Sequence, residues 1–288
     1  MSTWLLGLLV VGGSVAVALA GLYAVRRIIP AASLEPHRDM AGFLFGALTV
    51  TYAVLLAFVV VAVWDDFNVT ETAVSTEANR VEDMYRLAQG LPPPVRQQVR
   101  GTLHRYARSV VEDEWPAMSR FTASPRVQAA LDDLWRTYTR LEPRGGREGV
   151  LYEHSLTALT DLVDQRRGRL LASRHGLPPI LWFLLIGGGL VTVGFTYSFG
   201  STGTKNLRPQ ALMTGAFTMM VAFILFLVGA LDYPFTGDVA VRPDAFRYVI
   251  QRMDDLERGE GVSGAVKKTS ATSSRYRPPA SRHSRRRS

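Results

Sequence analysis

The chain has 288 residues, 47% of them hydrophobic, a formal net charge of +8 and no cysteine. The missing cysteine excludes disulfides, thiolate metal sites and cysteine nucleophiles. The charge does not describe a nucleic-acid-binding domain: residues 261–288 hold Lys267, Lys268, Arg275, Arg277, Arg282, Arg285, Arg286 and Arg287 without an acidic residue, which leaves residues 1–260 formally neutral.

Four segments contain no Asp, Glu, Lys or Arg: Trp4–Val25, Ala41–Val63, Leu177–Phe199 and Gln210–Leu231. A bilayer core of roughly 30 Å needs about 20 apolar residues in a helix, so each is predicted to span a membrane. Trp4, Tyr23, Trp64, Trp182 and Tyr233 stand near the ends, where amphipathic rings prefer the interface. The first segment is read as a retained helix rather than a signal peptide, because Met1-Ser2-Thr3 lacks a basic residue and Arg26-Arg27 follow the apolar run.

Leaving the second span, Asp65, Asp66 and Glu71 stand just beyond Trp64. They suit a pore mouth or cation site, but the simpler account, a solvated helix entrance, is preferred. Val74, Ala78, Val81, Tyr85 and Ala88 then alternate spacings of four and three, a coiled-coil-like seam, with Glu71, Glu77, Glu82, Asp83 and Arg86 off it. The second span is thus predicted to continue as one helix to Gln89, where Gly90 and Pro92-Pro93-Pro94 stop it. Further helices are predicted over Val95–Trp115, closed by Pro116, over Pro125–Leu141, and over Leu151–Arg174 before Pro178-Pro179. No stretch alternates with period two, so strands are not expected. After Asp232-Tyr233-Pro234-Phe235-Thr236-Gly237 comes a short amphipathic helix with Phe246, Val249, Ile250, Met253 and Leu256 on one face. It is expected to pack on the bundle or lie at the interface.

The fold class is therefore an all-α integral membrane protein, with four transmembrane helices arranged two-plus-two around an extramembrane helical bundle. The chain divides into a helix pair in 1–63, a helical domain in 64–176, a second pair in 177–231, a turn and amphipathic helix in 232–257, and a disordered basic tail in 258–288. Lys267, Lys268, Arg285, Arg286 and Arg287 in that tail suit anionic lipid headgroups. The positive-inside rule pulls both ways: Arg26-Arg27 favour the short loops as cytoplasmic, whereas the arginines before the third span and the tail favour the domain and termini there. The second orientation carries more positive charge and is preferred.

No chemistry-bearing motif emerges. His37, His104, His154, His175 and His283 lack zinc-ligand spacing, and there is no phosphate-binding Gly-Lys loop or nucleophile elbow. No enzyme activity, metal or cofactor is expected. Gly187-Gly188-Gly189 lies inside a span and reads as a site of close helix approach. Glu112-Asp113-Glu114 before Trp115-Pro116 is either a helix-end cluster facing arginines or a divalent-ion site. The spans hold hydroxyls but no charge, which suits a channel better than a pump.

Several local patterns, in order, resemble a bacterial bestrophin-like membrane protein family of unknown function. They are Trp64 with Glu77-Ala78-Asn79 and Tyr85-Arg86-Leu87-Ala88, Tyr106 with Glu114-Trp115-Pro116, Arg166 to Leu170 leading to Leu177-Pro178, and Leu231-Asp232-Tyr233-Pro234-Phe235-Thr236-Gly237. True bestrophins are pentameric anion channels whose second helix lines the pore with a hydrophobic neck. What the resemblance implies is a homo-oligomer in the lipid bilayer with Ala41–Val63 along the pore, Phe43, Phe45 or Phe58 at a constriction, and Phe45, Thr49, Tyr52 and Phe58 lining it. Asp65 and Asp66 then stand at the mouth. No calcium-clasp pattern is identifiable. The alternative is a membrane-anchored interaction or sensory protein acting through its helical domain without conduction.

Overall fold

In the computed structural model, which describes residues 3–28, 38–143, 145–174, 176–198 and 207–273 (side chains to 258, and not those of 38–41), every regular element is helical. The first apolar run forms α1 (Thr3–Ile28) and the second forms α2 (Arg38–Leu87), a single helix of 50 residues. At about 1.5 Å per residue α2 is roughly 75 Å long, so it extends well beyond one bilayer thickness. It tightens into a 3-10 turn at Ala88–Gly90 and stops before the proline run, where the sequence predicts its end. Gly90 stands there because a Cβ would lie 2.5 Å from the Leu151 side chain.

The next helix departs from the sequence pattern. It forms α3 (Pro93–Ser109), widens into a π turn at Val110–Glu114 and resumes as α4 (Trp115–Met118). The sequence pattern has Pro116 end the helix at Trp115; in the structure it is absorbed. Pro116 has no N–H for the carbonyl four residues back and its ring crowds that carbonyl. The wider turn relieves both, with Trp115 N–H bonding to the Val110 carbonyl five residues back. Then follow α5 (Pro125–Thr139) and α6 (Arg147–Ala172), the latter leading directly to α7 (Pro179–Thr196), with Pro178-Pro179 at the start of α7 where a missing N–H costs nothing. The last span is α8 (Arg208–Asp232). Helices α1, α2, α7 and α8 are long and apolar enough to cross a membrane; two precede the bundle helices in the chain and two follow them.

The amphipathic segment forms α9 (Asp244–Ser273), which runs past the expected boundary at 257. No proline interrupts it before Pro278. Phe246, Val249 and Met253 are buried with Val81, Tyr85, Leu103, Tyr106, Leu131, Leu134, Leu159 and Leu162. Of the two placements expected for its first turns, packing on the bundle is the one observed. Polar contacts add to it: His104 Nε2 lies 2.7 Å from Asp254 Oδ1 and Tyr85 donates to Glu257 at 2.8 Å.

A second, smaller apolar cluster joins α2, α7 and α8 through Tyr52, Leu56, Val59, Val63, Leu185, Val221, Val228 and Leu231. Most of the remaining apolar surface of the four spans is bare, including Leu8, Phe43, Phe183 and Leu212. So much contiguous apolar surface needs lipid or another protein surface against it.

Candidate conduction face and buried ionic anchor

Where α2 crosses the small cluster, its two sides differ. Tyr52, Leu56, Val59 and Val63 recur at spacings of four and three and are buried. At about 100° per residue the opposite side carries Phe43, Ala47, Val50, Val54, Val61 and Asp65, all exposed. This divides the residues implied as pore-lining. Phe58 and Asp65 lie on the bare side. Tyr52 does not: it is packed against α7, its ring over Gly188 and Gly189, and its hydroxyl donates to the Leu185 carbonyl at 2.7 Å. A Cβ on Gly188 would come within 2.7 Å of that ring, so the glycines permit the close helix approach that the triple-glycine run predicts. Phe45 and Thr49 turn toward the packed side as well; Phe45 meets the Phe217 ring of α8 at 6.1 Å. Asp66 is exposed too, but it stands about 100° round the helix from Asp65, toward the side of Val59 and Val63. Lys267 and Lys268 lie in the last part of α9, where side chains are not described, and Arg285, Arg286 and Arg287 lie outside the described residues.

Beyond the membrane, α2 is held by a buried ionic cluster. Glu77 falls off the hydrophobic seam in the sequence pattern, yet it is fully buried. It faces Arg169 of α6, whose Nε and Nη2 donate to its two oxygens at 2.6 and 2.9 Å, and Tyr106 of α3 donates to the same carboxylate at 2.6 Å. Arg169 also donates to Glu114 at 2.7 Å. Glu114 in turn accepts from Arg166 at 2.7 Å and from the Ser124 amide at 3.2 Å. Arg166 completes its fork on Gln128 at 2.7 Å. Two carboxylates therefore balance two guanidiniums, which is what makes burial of four charges tolerable. The π turn contributes directly, since the widened backbone carries Glu114 inside it.

The charges perturb one another as the geometry requires. Burial pushes the Glu114 carboxyl up, but the hydrogen bonds and charges of Arg166 and Arg169 outweigh it and hold the group below the usual carboxylate range. Burial and the Glu77 charge raise Tyr106 well above an ordinary phenol. Burial acts to lower Arg169, but Glu77 and Glu114 more than offset it and keep it protonated. Of the two accounts of Glu112-Asp113-Glu114, facing arginines is the one observed: Glu114 takes Arg166 and Arg169, and Asp113 takes Arg126 at 3.1 Å. Among the described residues no group of three or more His, Asp or Glu side chains is arranged to hold a metal ion. Of the histidines, His37, His175 and His283 lie outside the described residues.

A second anchor lies at the end of α8. Asp232 is buried there and accepts from the Leu177 amide at 2.6 Å and from the Trp182 indole at 3.2 Å, tying the α6–α7 connection to the last span. Glu77, Tyr106, Glu114, Arg166, Arg169 and Asp232 all fall within the local patterns that carry the family resemblance. A family model described as a Bestrophin-like domain matches residues 12–246. The chain belongs to the bestrophin-like family. Its fold is similar to solved members: a point variant of a bacterial bestrophin homologue from Klebsiella pneumoniae superposes with a TM-score of 0.63 at 13% identity, over 86% of this chain and 98% of that one. A structure of a bacterial bestrophin homologue from the same organism, phased on zinc, gives 0.58 at 13% identity, over 84% and 97%. No curated protein matches the chain. This bestrophin-like chain is a membrane protein, and its α2 joins a bare apolar face to a buried ionic cluster.

Proposed function

We propose that the chain is one subunit of a homo-oligomeric ion channel in which the bare side of α2 lines the conduction path. The observation that carries this is the division of α2 into a packed side, with Tyr52, Leu56, Val59 and Val63, and an exposed side with Val50, Val54 and Val61 running to Asp65. Symmetry-related copies would turn that side toward a common axis, forming a hydrophobic constriction of the kind that gates by dewetting. Analogy with true bestrophins makes the oligomer a pentamer and the ion an anion. The larger positive charge on their side puts the bundle and both termini in the cytoplasm, with the basic tail against anionic lipid. Purified protein fused into planar bilayers under a salt gradient tests conduction and selectivity together. Current with an anion reversal potential supports the reading. A cation reversal potential that Asp65→Asn abolishes reassigns the ion to the acidic mouth. A monomer by light scattering in detergent, silent in bilayers, overturns it.

One observation favours the second reading, an interaction or sensory protein. A groove of about 750 Å³ between the far end of α2 and α6 is lined by Arg80, Arg86, Arg147, His154, Asp83 and Asp161. Persistent silence in bilayers, with a partner held through that groove, is the result that selects it.

A further inference from the structure

The loop after α4 exposes an aromatic residue in a backbone conformation that side chains avoid. Phe121 has φ of 60°, the left-handed region in which helix ends normally place glycine. The turn is held by Phe121 N–H to Met118 O at 2.9 Å and by Thr122 N–H to Ala117 O at 3.0 Å. The strain presents the ring outward: Phe121 is 46% exposed and meets Tyr233 edge-on, with centroids 5.9 Å apart. Tyr233 is itself 39% exposed and follows the last residue of α8 directly, so the pair stands at the end of that helix. Leu171 is exposed on the last turn of α6, whose connection to α7 is tied to the same end of α8 through Leu177 and Asp232. Arg120 beside the ring and Arg174 beyond α6 are exposed too.

Aromatic rings, an aliphatic side chain and arginines at the end of a span are the composition of an interfacial belt. We propose that the loop 119–124 docks into the headgroup layer of the leaflet facing the bundle, with Phe121 inserted beside Tyr233 and Arg120 and Arg174 meeting lipid phosphates. Lipid is the occupant because Phe121 packs on Tyr233, the residue that follows α8 directly, and because Arg120 and Arg174 complement anionic headgroups. The proposal rests on α8 crossing the bilayer. It gives the bundle a lipid contact separate from its helical connections, through which bilayer composition biases bundle tilt.

Because the chain has no cysteine, single-cysteine labelling of the full chain tests this cleanly. Phe121→Cys and Ser119→Cys on the loop, Phe223→Cys on the exposed side of α8, and Gln97→Cys on α3 are labelled with an environment-sensitive fluorophore. Each is reconstituted in phosphatidylcholine–phosphatidylglycerol vesicles with and without spin-labelled lipid quencher. Gln97 lies near the far end of α2, about 35 Å beyond Trp64 at the helical rise. The expected result is blue-shifted emission and quenching at the loop and at position 223 and neither at position 97. Quenching at 223 with loop labels behaving like position 97 overturns the docking while leaving the span intact. No quenching at 223 overturns the span and the docking with it. Arg120→Gln with Arg174→Gln is expected to reduce loop quenching in anionic vesicles to the level in phosphatidylcholine alone; unchanged quenching overturns the phosphate contact.

Discussion

Arg169 is the side chain on which the bundle's buried charge turns, because it reaches both Glu77 and Glu114 while being sealed from solvent. Removing one carboxylate leaves two buried guanidiniums on the other, and an uncompensated buried charge of this kind costs about 3–5 kcal/mol. Glu77→Ala is therefore expected to lower the thermal unfolding midpoint of the detergent-solubilised protein sharply, and Arg169→Lys to lower it too, since an ammonium cannot reproduce the fork. A midpoint unmoved by either change would mean that the cluster does not hold α2. Protons supply a second test. The folded Glu114 carboxyl lies below its ordinary value, so the stability it contributes is present above the unfolded pKa and is lost as pH falls through the folded one. The midpoint should hold from about pH 5 to 8 and fall below about pH 4.5. Glu114→Gln should be less stable at neutral pH yet flatter across that acid limb. Tyr106 has the opposite sign: its raised pKa keeps stability intact below about pH 10 and loses it above. Tyr106→Phe should blunt the alkaline loss.

At the level of elements, the prolines and the apolar runs made most boundaries legible. The 50-residue α2 and the join of α6 to α7 follow from the absence of any breaker between Trp64 and Gln89 and from Pro178-Pro179. The π turn was not legible: a proline usually ends a helix, and only the packing of Trp115 on Phe235 and Phe246, at 5.6 and 6.1 Å, shows why the chain keeps winding. The burial of Glu77 escapes the sequence pattern for a related reason. A carboxylate one residue from a hydrophobic seam reads as solvated until an arginine 92 positions later arrives to neutralise it. The triple glycine, by contrast, carried its meaning openly. Gly188→Ala would place a methyl group 2.7 Å from the Tyr52 ring, forcing α2 and α7 apart, and overpacking of this kind costs about 1–3 kcal/mol. Titration with a denaturing detergent should show that loss, whereas Gly187→Ala, where a Cβ meets nothing within 4 Å, should be neutral or better. Equal effects at the two positions would show that the α2–α7 contact does not govern this half of the molecule.

For the whole molecule, the question is whether the two halves of α2 act together, and the bare side in the membrane gives the sharpest handle. Val54 is 50% exposed on that side, whereas Tyr52 is buried against α7 two residues earlier. If the bare sides of several copies enclose the conduction path, valines there resist wetting and set its barrier. Replacing Val54 by serine in every subunit removes apolar surface from a full ring. Burying or exposing a valine-sized side chain is worth about 1.5–3 kcal/mol in transfer terms, so lowering the barrier by only about 1 kcal/mol would raise the flux about fivefold. Val54→Ser is thus expected to raise unitary current severalfold in planar bilayers, and Val54→Trp to abolish it. Tyr52→Phe loses its hydrogen bond to Leu185 but leaves the path untouched, and its unitary current should equal that of the unaltered protein. The residue that the family analogy puts in the pore and the residue that packing leaves on the bare side make opposite predictions. Current that responds to Tyr52→Phe and ignores Val54→Ser would turn α2 around and reject the arrangement proposed for the assembly.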